Sequence, residues 1–283
     1  MNHKNLFMAM VVATVAISFT SCKKTNSSAT DKTEIETTYE ISTDQAISDN
    51  LTEDANDVFF EAATQNNLTG ERPLTPTQTL GILSCATVTV TPLTGFPKTI
   101  VIDFTSGCTS QNGITRKGKI TVVLSDSVRK PGATAVLTFD KYYVNGYKKE
   151  GTITWTNTST ASVKGWQRKV ENGKITTPTG IFWTHSGVRN VIQVEGYSTP
   201  RNLLDDVFSI TGNHTVTNAN GVTRTSEIVE PLQKKTICEN ITKGSIKMQG
   251  PNHVAVIDFG DGSCDRVATI SIDGGTARTI LLR

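Results

Sequence analysis

Chemistry-bearing residues in this chain are few, and their spacing is the first thing to weigh. Asp258, Asp261 and Asp265 crowd one glycine-rich stretch, where carboxylates could offer oxygens to calcium. Their spacing departs from the alternating D-x-D-x-D-G loop and no glutamate closes it, so a turn that hydrogen-bonds its own backbone is expected instead. Asp258-Phe259-Gly260 copies the magnesium triplet of kinases in letters alone, because no glycine-rich nucleotide loop, strand lysine or H-R-D loop accompanies it. Asp103 and Asp258 are the acids to consider for glycoside hydrolysis, which needs two carboxyls about 5–10 Å apart. His185, His214 and His253 lie far apart, without H-E-x-x-H or Cys/His zinc spacing, and no G-x-S-x-G elbow presents a serine. The reading is therefore of no catalytic residue, no metal ligand and no cofactor. Trp155, Trp166, Trp183, Tyr142, Tyr143 and Tyr147 cluster in mid-chain. Trp155 shares strand parity with Ile153 and is expected in the core, whereas Trp166 lies among Lys164, Arg168 and Lys169 on a polar-looking face and is the expected ligand platform.

The cysteines carry a second kind of chemistry. Residues 1–21 have a polar start with Lys4, an uncharged run from Leu6 to Phe19 and a small-residue end, the layout of a secretory signal too short for a confident membrane span. Phe19-Thr20-Ser21-Cys22 resembles a bacterial lipobox, with Phe19 in place of the usual leucine; the resemblance implies cleavage before Cys22 and attachment of lipid, palmitate included, to that cysteine. Setting Cys22 aside leaves Cys85, Cys108, Cys238 and Cys264, an even number in an exported chain. Gly95-Phe96-Pro97 lies midway between the first two and Gly250-Pro251-Asn252 midway between the last two, which favours Cys85–Cys108 and Cys238–Cys264 as staples across two hairpins.

The elements that must position these groups follow from composition and period. The chain has 283 residues, a formal charge of +2 and 36% hydrophobic residues, which excludes a wholly disordered chain and gives no global nucleic-acid signature. Thr contributes 45 residues, and its branched Cβ suits a half-exposed strand. Residues 22–42, the lipidated cysteine followed by a Ser/Thr/Asn/Lys tract, read as a flexible tether. Segment 43–70 contains an amphipathic helix from about Thr43 to Asn66, with Ile47, Leu51, Ala55, Val58, Phe59 and Ala62 on one face. Asp49, Glu53, Asp54, Asp57 and Glu61 form its other face, expected to be solvated. Residues 31–66 carry ten acids and one base, net −9; residues 98–174 carry thirteen bases and five acids, net +8. That asymmetry would either dock the helix on the sheet or leave a basic face for an acidic polymer.

From residue 80 to 283 short alternating runs, such as Ile120/Val122/Leu124 and Ile153/Trp155, are separated by turn dipeptides: Asn112-Gly113, Asn145-Gly146, Asn172-Gly173, Asn220-Gly221 and Asp273-Gly274-Gly275. The fold class is mainly β, an antiparallel meander of about twelve to fourteen strands in a curved sheet or sandwich, preceded by one helix. Two units repeat near its ends: Cys85, a turn, Val101-Ile102-Asp103-Phe104 and Cys108; then Cys238, a turn, Val256-Ile257-Asp258-Phe259 and Cys264. A repeated strand and staple implies two similar structural halves, with Asp103 and Asp258 holding the turns that follow them rather than forming an active site.

The lipobox, the polar tether, V-I-D-F followed by Gly107-Cys108 or Gly262-Ser263-Cys264, and the Lys117-Gly118-Lys119-Ile120 strand together resemble uncharacterised, hypothetical lipoproteins of the Bacteroidota cell envelope. The resemblance implies a lipid-anchored envelope protein and brings no catalytic residues. Lys23-Lys24 after the cysteine, with the first acid only at Asp31, favours the periplasmic side of the outer membrane. The functional expectation is a non-catalytic binding or structural role with the membrane as one partner and a glycan or an envelope protein as another. Three alternatives accompany it: a module for glycan or another acidic polymer, a carrier of an apolar ligand, and a glycan-active hydrolase. Export argues against nucleic acid as a partner.

Overall fold

The computed structural model describes residues 24–70, 80–111, 113–199 and 202–282. The signal segment, Cys22 and Asn112 lie outside the described residues. One helix, α1 (Lys24–Gln65), precedes fourteen strands. These are β1 (Thr87–Thr91), β2 (Lys98–Asp103), β3 (Cys108–Thr109), β4 (Thr115–Leu124), β5 (Thr134–Val144), β6 (Tyr147–Asn157), β7 (Gly165–Thr176), β8 (Phe182–Glu195), β9 (Val207–Asn218), β10 (Thr223–Lys235), β11 (Lys243–Gln249), β12 (Val254–Asp261), β13 (Val267–Ile272) and β14 (Arg278–Leu281). They form a single antiparallel meander in chain order, with the short β3 pairing only β4, and β1 and β14 are its two open edges.

Tight turns do the connecting. Asn145-Gly146 and Asp273-Gly274 each place two successive residues at positive φ, the geometry of the two-residue hairpin turn that follows the twist of its strands. Asn172-Gly173 is different from the sequence expectation: it lies inside β7, where the ladder to β8 slips between Val170 and Gly173. The same positive-φ preference that makes a hairpin turn also makes a bulge, and the flanking strand continues on both sides. Register breaks recur in all eight successive ladders from β4–β5 to β11–β12. Each adds local twist and bends its strand, and together they curl the sheet. Gly118 sits at the first of them with φ +83°, where a Cβ would lie 2.0 Å from the Lys141 carbonyl oxygen, so only glycine fits.

What the sheet curls around is α1. The helix begins at Lys24, so the stretch expected as a loose tether is helical over most of its length. From Gln45 to Phe59 every residue is buried. The expected solvated acidic face is thus corrected: Asp49, Glu53, Asp54, Asp57 and Glu61 are all inside. The polar side chains of the helix meet partners over roughly two thirds of its circumference at 3.6 residues per turn, which a flat sheet on one side could not supply. The hydroxyls of Ser42, Thr43, Ser48 and Thr52 bond back to the carbonyl four residues earlier, Ser42 to Thr38 at 2.7 Å and Thr52 to Ser48 at 2.8 Å, so these are satisfied without water. None of the helices among the described residues is long and apolar enough to cross a membrane.

Both expected staples form, Cys85–Cys108 with Cα atoms 5.8 Å apart and Cys238–Cys264 with 5.1 Å. They suggest an oxidising, extracytoplasmic compartment. Each repeated aspartate accepts the backbone N–H two residues on: Asp103 from Thr105 at 2.7 Å, closing the turn beyond β2, and Asp258 from Gly260 at 2.8 Å within the end of β12.

Candidate functional site

Two places concentrate polar chemistry: the interface between α1 and the inner face of the sheet, and a pocket at the end of the sheet where α1 finishes.

Strand parity sends some of the basic side chains inward, and the helix answers them one for one. Arg116 on β4 pairs with Asp54 at 2.5 and 3.1 Å, Arg168 on β7 pairs with Glu53, Arg189 on β8 pairs with Asp49 at 3.0 Å, and Lys234 on β10 pairs with Asp57 at 2.9 Å. Burial alone would lower the Arg116 guanidinium, but the adjoining Asp54 charge outweighs it and holds that group charged. Burial pushes the Asp57 carboxyl up, with Lys234 opposing. Lys234 also donates to the carbonyls of Lys235 and Cys238, so all three ammonium protons are used.

Four acids matched with four bases leave Lys149 as a fifth inward cation. Its ammonium donates to Thr52 Oγ1 at 3.1 Å, and burial pushes it down to about 7. Beside it, His185 on β8 and His214 on β9 stack with ring centroids 5.1 Å apart and share one hydrogen bond of 2.9 Å. Burial first, and then neighbouring cationic side chains, Lys149 and Arg189, hold both imidazoles well below their ordinary value, so the pair is neutral near pH 7. The unfolded chain binds a proton on Lys149 up to about pH 10.4 that the folded chain releases near 7, so this lysine costs stability at neutral pH and the cost fades as pH rises across that window. Lys149→Met is expected to raise stability at pH 7 by about 3 kcal/mol, with the gain falling toward zero by about pH 10. Urea melts at both pH values check this; a variant less stable than the parent at pH 7 would show that Lys149 is charged and needed.

The sequence-derived binding residues separate. Arg168 is buried against Glu53, while Lys169 points outward and pairs with Glu171 at 2.7 Å. Trp166 is only 6% exposed: its ring lies 5.6 Å from Trp155, 5.0 Å from Phe60 and 4.9 Å from Phe208. The expected open platform is therefore corrected, because the bases beside Trp166 in sequence alternate between the two sheet faces. The basic excess of residues 98–174 is dispersed in the same way: Arg116, Lys149 and Arg168 face inward, and Lys119, Lys130, Lys148 and Lys169 each pair with an acid of the sheet region.

Trp166 and Lys164 do come together, at the pocket. Its volume is only about 40 Å³, and it lies between the last turn of α1 and the β6–β7 and β8–β9 ends. Phe60, Trp155, Trp166 and Phe208 make its apolar side; Thr64, Lys164, Gln193 and Asp206 are among its polar groups. Burial pushes the Asp206 carboxyl up to about 7 against the opposing charge of Arg129, and it accepts from Gln193 Nε2 at 2.7 Å. Phe60 and Phe208 carry no functional motif in the sequence. Asp258, Asp261 and Asp265 are spent on their own turns, each accepting a backbone N–H two residues on, at 2.8 to 3.0 Å. No known protein family, curated protein or solved structure matches this chain.

Proposed function

We propose that this is a lipid-anchored protein of the bacterial cell envelope, held on the periplasmic side of the outer membrane through Cys22, with a non-catalytic binding role built on a rigid scaffold. One observation carries the reading: Asp49, Glu53, Asp54 and Asp57 of α1 are each matched to a base of the sheet across the helix–sheet interface, where their role is to fix α1 inside the sheet. The disulfides and the resemblance to Bacteroidota lipoproteins support export. Because α1 starts two residues after Cys22, little slack separates the lipid from the folded part. Thirty-odd residues at 1.5 Å each set the pocket about 50 Å along the helix from Lys24.

A second reading, carriage of a small apolar ligand, is favoured over a glycan platform by the aromatic lining of the pocket and the covered faces of Trp166. The test of the anchor is metabolic labelling with palmitate in a lipoprotein-processing bacterium. Label retained by the parent and lost in Cys22→Ala, with fractionation to the outer membrane, is the expected result; label in neither sinks the anchor.

A further inference from the structure

The meander leaves two free edges, β1 and β14, and the chain treats them differently. At β14 a charge stands guard: Arg278 pairs with Glu36 of α1 at 2.8 Å and lies over the Tyr39 ring, 4.8 Å from its centroid. Charges so placed keep an open strand from pairing with another chain. The β1 edge has no such guard. From Leu80 to Pro97 the sequence holds no Asp, Glu, Lys, Arg or His, and β1 itself is Thr87-Val88-Thr89-Val90-Thr91, wholly β-branched and free of proline. Just beyond it, residues 91–97 are all exposed, and Leu93, at 91%, is the most exposed large apolar side chain among the described residues. This edge is also held ready. The Cys85–Cys108 disulfide fixes its start, and Lys98 Nζ closes its end by donating to the carbonyls of Pro92 and Leu93 at 2.6 and 3.0 Å. A strand already fixed in its paired geometry loses little conformational entropy when it meets another.

The order of residues in β1 says which partner fits. It reads the same in both directions, so an antiparallel pair centred on Thr89 sets like against like: Val88 faces Val90 of a second copy, Thr87 faces Thr91, and Thr89 faces its own counterpart. Facing threonines are a pair this protein already makes across its own ladders, Thr109 with Thr115 and Thr217 with Thr223, with hydroxyls 2.8 Å apart in each. A two-fold contact asks one strand to complement itself, and this strand does. We propose that β1 is a homodimer edge, at which two copies of the chain join their sheets through an antiparallel β1–β1 ladder about a two-fold axis at Thr89. The contact closes on itself, uses up both unguarded edges and leaves the two guarded β14 edges outermost. It also carries each Leu93 past the start of the other β1, so that the exposed hairpin tip gains a surface to cover. The paired strands are short, so a Kd on the order of 10 µM is expected.

The experiment uses the full chain, oxidised and in a non-ionic detergent, carrying Cys22→Ala so that the remaining cysteines are those of the two disulfides. Sedimentation velocity from about 1 to 100 µM should show monomer giving way to dimer. Thr89→Lys, at an exposed position, should weaken association about tenfold with the melt unchanged, because the two ammonium groups meet at the axis. Single cysteines test the register. Facing Cα atoms of an antiparallel pair lie about 4.5–5.5 Å apart, within disulfide reach, so Thr89→Cys should form a covalent dimer on mild oxidation. Thr87→Cys, about 14 Å from its own counterpart, should not. A chain that stays monomeric to about 100 µM, a dimer indifferent to Thr89→Lys, or cross-linking as ready at 87 as at 89 would overturn the proposal. Growth beyond the dimer would overturn it too, by showing that β1 meets the β14 edge of the next copy in an open chain.

Discussion

Residues 80–283 produced without α1 are expected not to fold into the native sheet. Removing the helix strips the carboxylates from Arg116, Arg168, Arg189 and Lys234 and leaves them on an apolar concave face with Lys149. It also uncovers the side chains that pack on Leu51, Val58 and Phe59. Each large apolar side chain left unburied forfeits about 1.5–3 kcal/mol, and Ile41, Ile47, Leu51, Val58 and Phe59 together with the residues they cover exceed the 5–15 kcal/mol by which a domain is ordinarily stable. The intact chain should show strong near-ultraviolet dichroism from the Trp155–Trp166 contact and a cooperative melt, and the truncated chain neither. Adding a peptide of residues 30–66 in trans should restore both. A truncated sheet that melts cooperatively within about 5 °C of the intact chain would show that the sheet carries its own core.

The second large effect concerns a single pair. Arg168→Met leaves Glu53 buried without its cation and is expected to cost about 3–5 kcal/mol, a fall of about 10 °C in Tm for a chain of this size. Adding Glu53→Gln to the same chain should return most of that loss, because the penalty comes from the stranded charge rather than from a missing attraction. Lys169→Met, one residue along β7, removes an exposed partner of Glu171 and should change stability by less than about 1 kcal/mol. Equal losses at 168 and 169 would contradict the inward and outward assignment of the two bases.

Those neighbouring bases also show where sequence reasoning succeeds and where it stops. The strand pattern was legible because alternation is local: Ile120, Val122 and Leu124 turn inward together, and Asn145-Gly146 and Asp273-Gly274 announce hairpins by the φ values only such residues readily adopt. The staples were legible because turns midway between cysteines place facing residues within reach. Asn172-Gly173 misled because the same dipeptide serves a bulge as well as a turn, and nothing local distinguishes them.

The charges were legible in number and not in place. An acidic stripe on a helix reads as solvated because most such stripes are, and a basic stretch reads as a surface because lysine and arginine are seldom buried unpaired. The matching excesses of residues 31–66 and 98–174 were the one sequence signal that the two belong together. Which base meets which acid depends on bulges that curl the sheet and on the rotation of the helix within it, and both are set by contacts between residues 60 to 180 positions apart.

Composition, alternation and cysteine spacing, all properties of near neighbours, were enough to determine an antiparallel meander, a preceding helix and two stapled hairpins. Only the tertiary structure decided that the helix lies inside the sheet, that its acids are partners rather than surface, and that Trp166 faces a pocket with Trp155 instead of open solvent. The physical reason is that burial belongs to the assembled molecule: a charge or a ring acquires its environment from strands far away in sequence, and no local pattern carries that information.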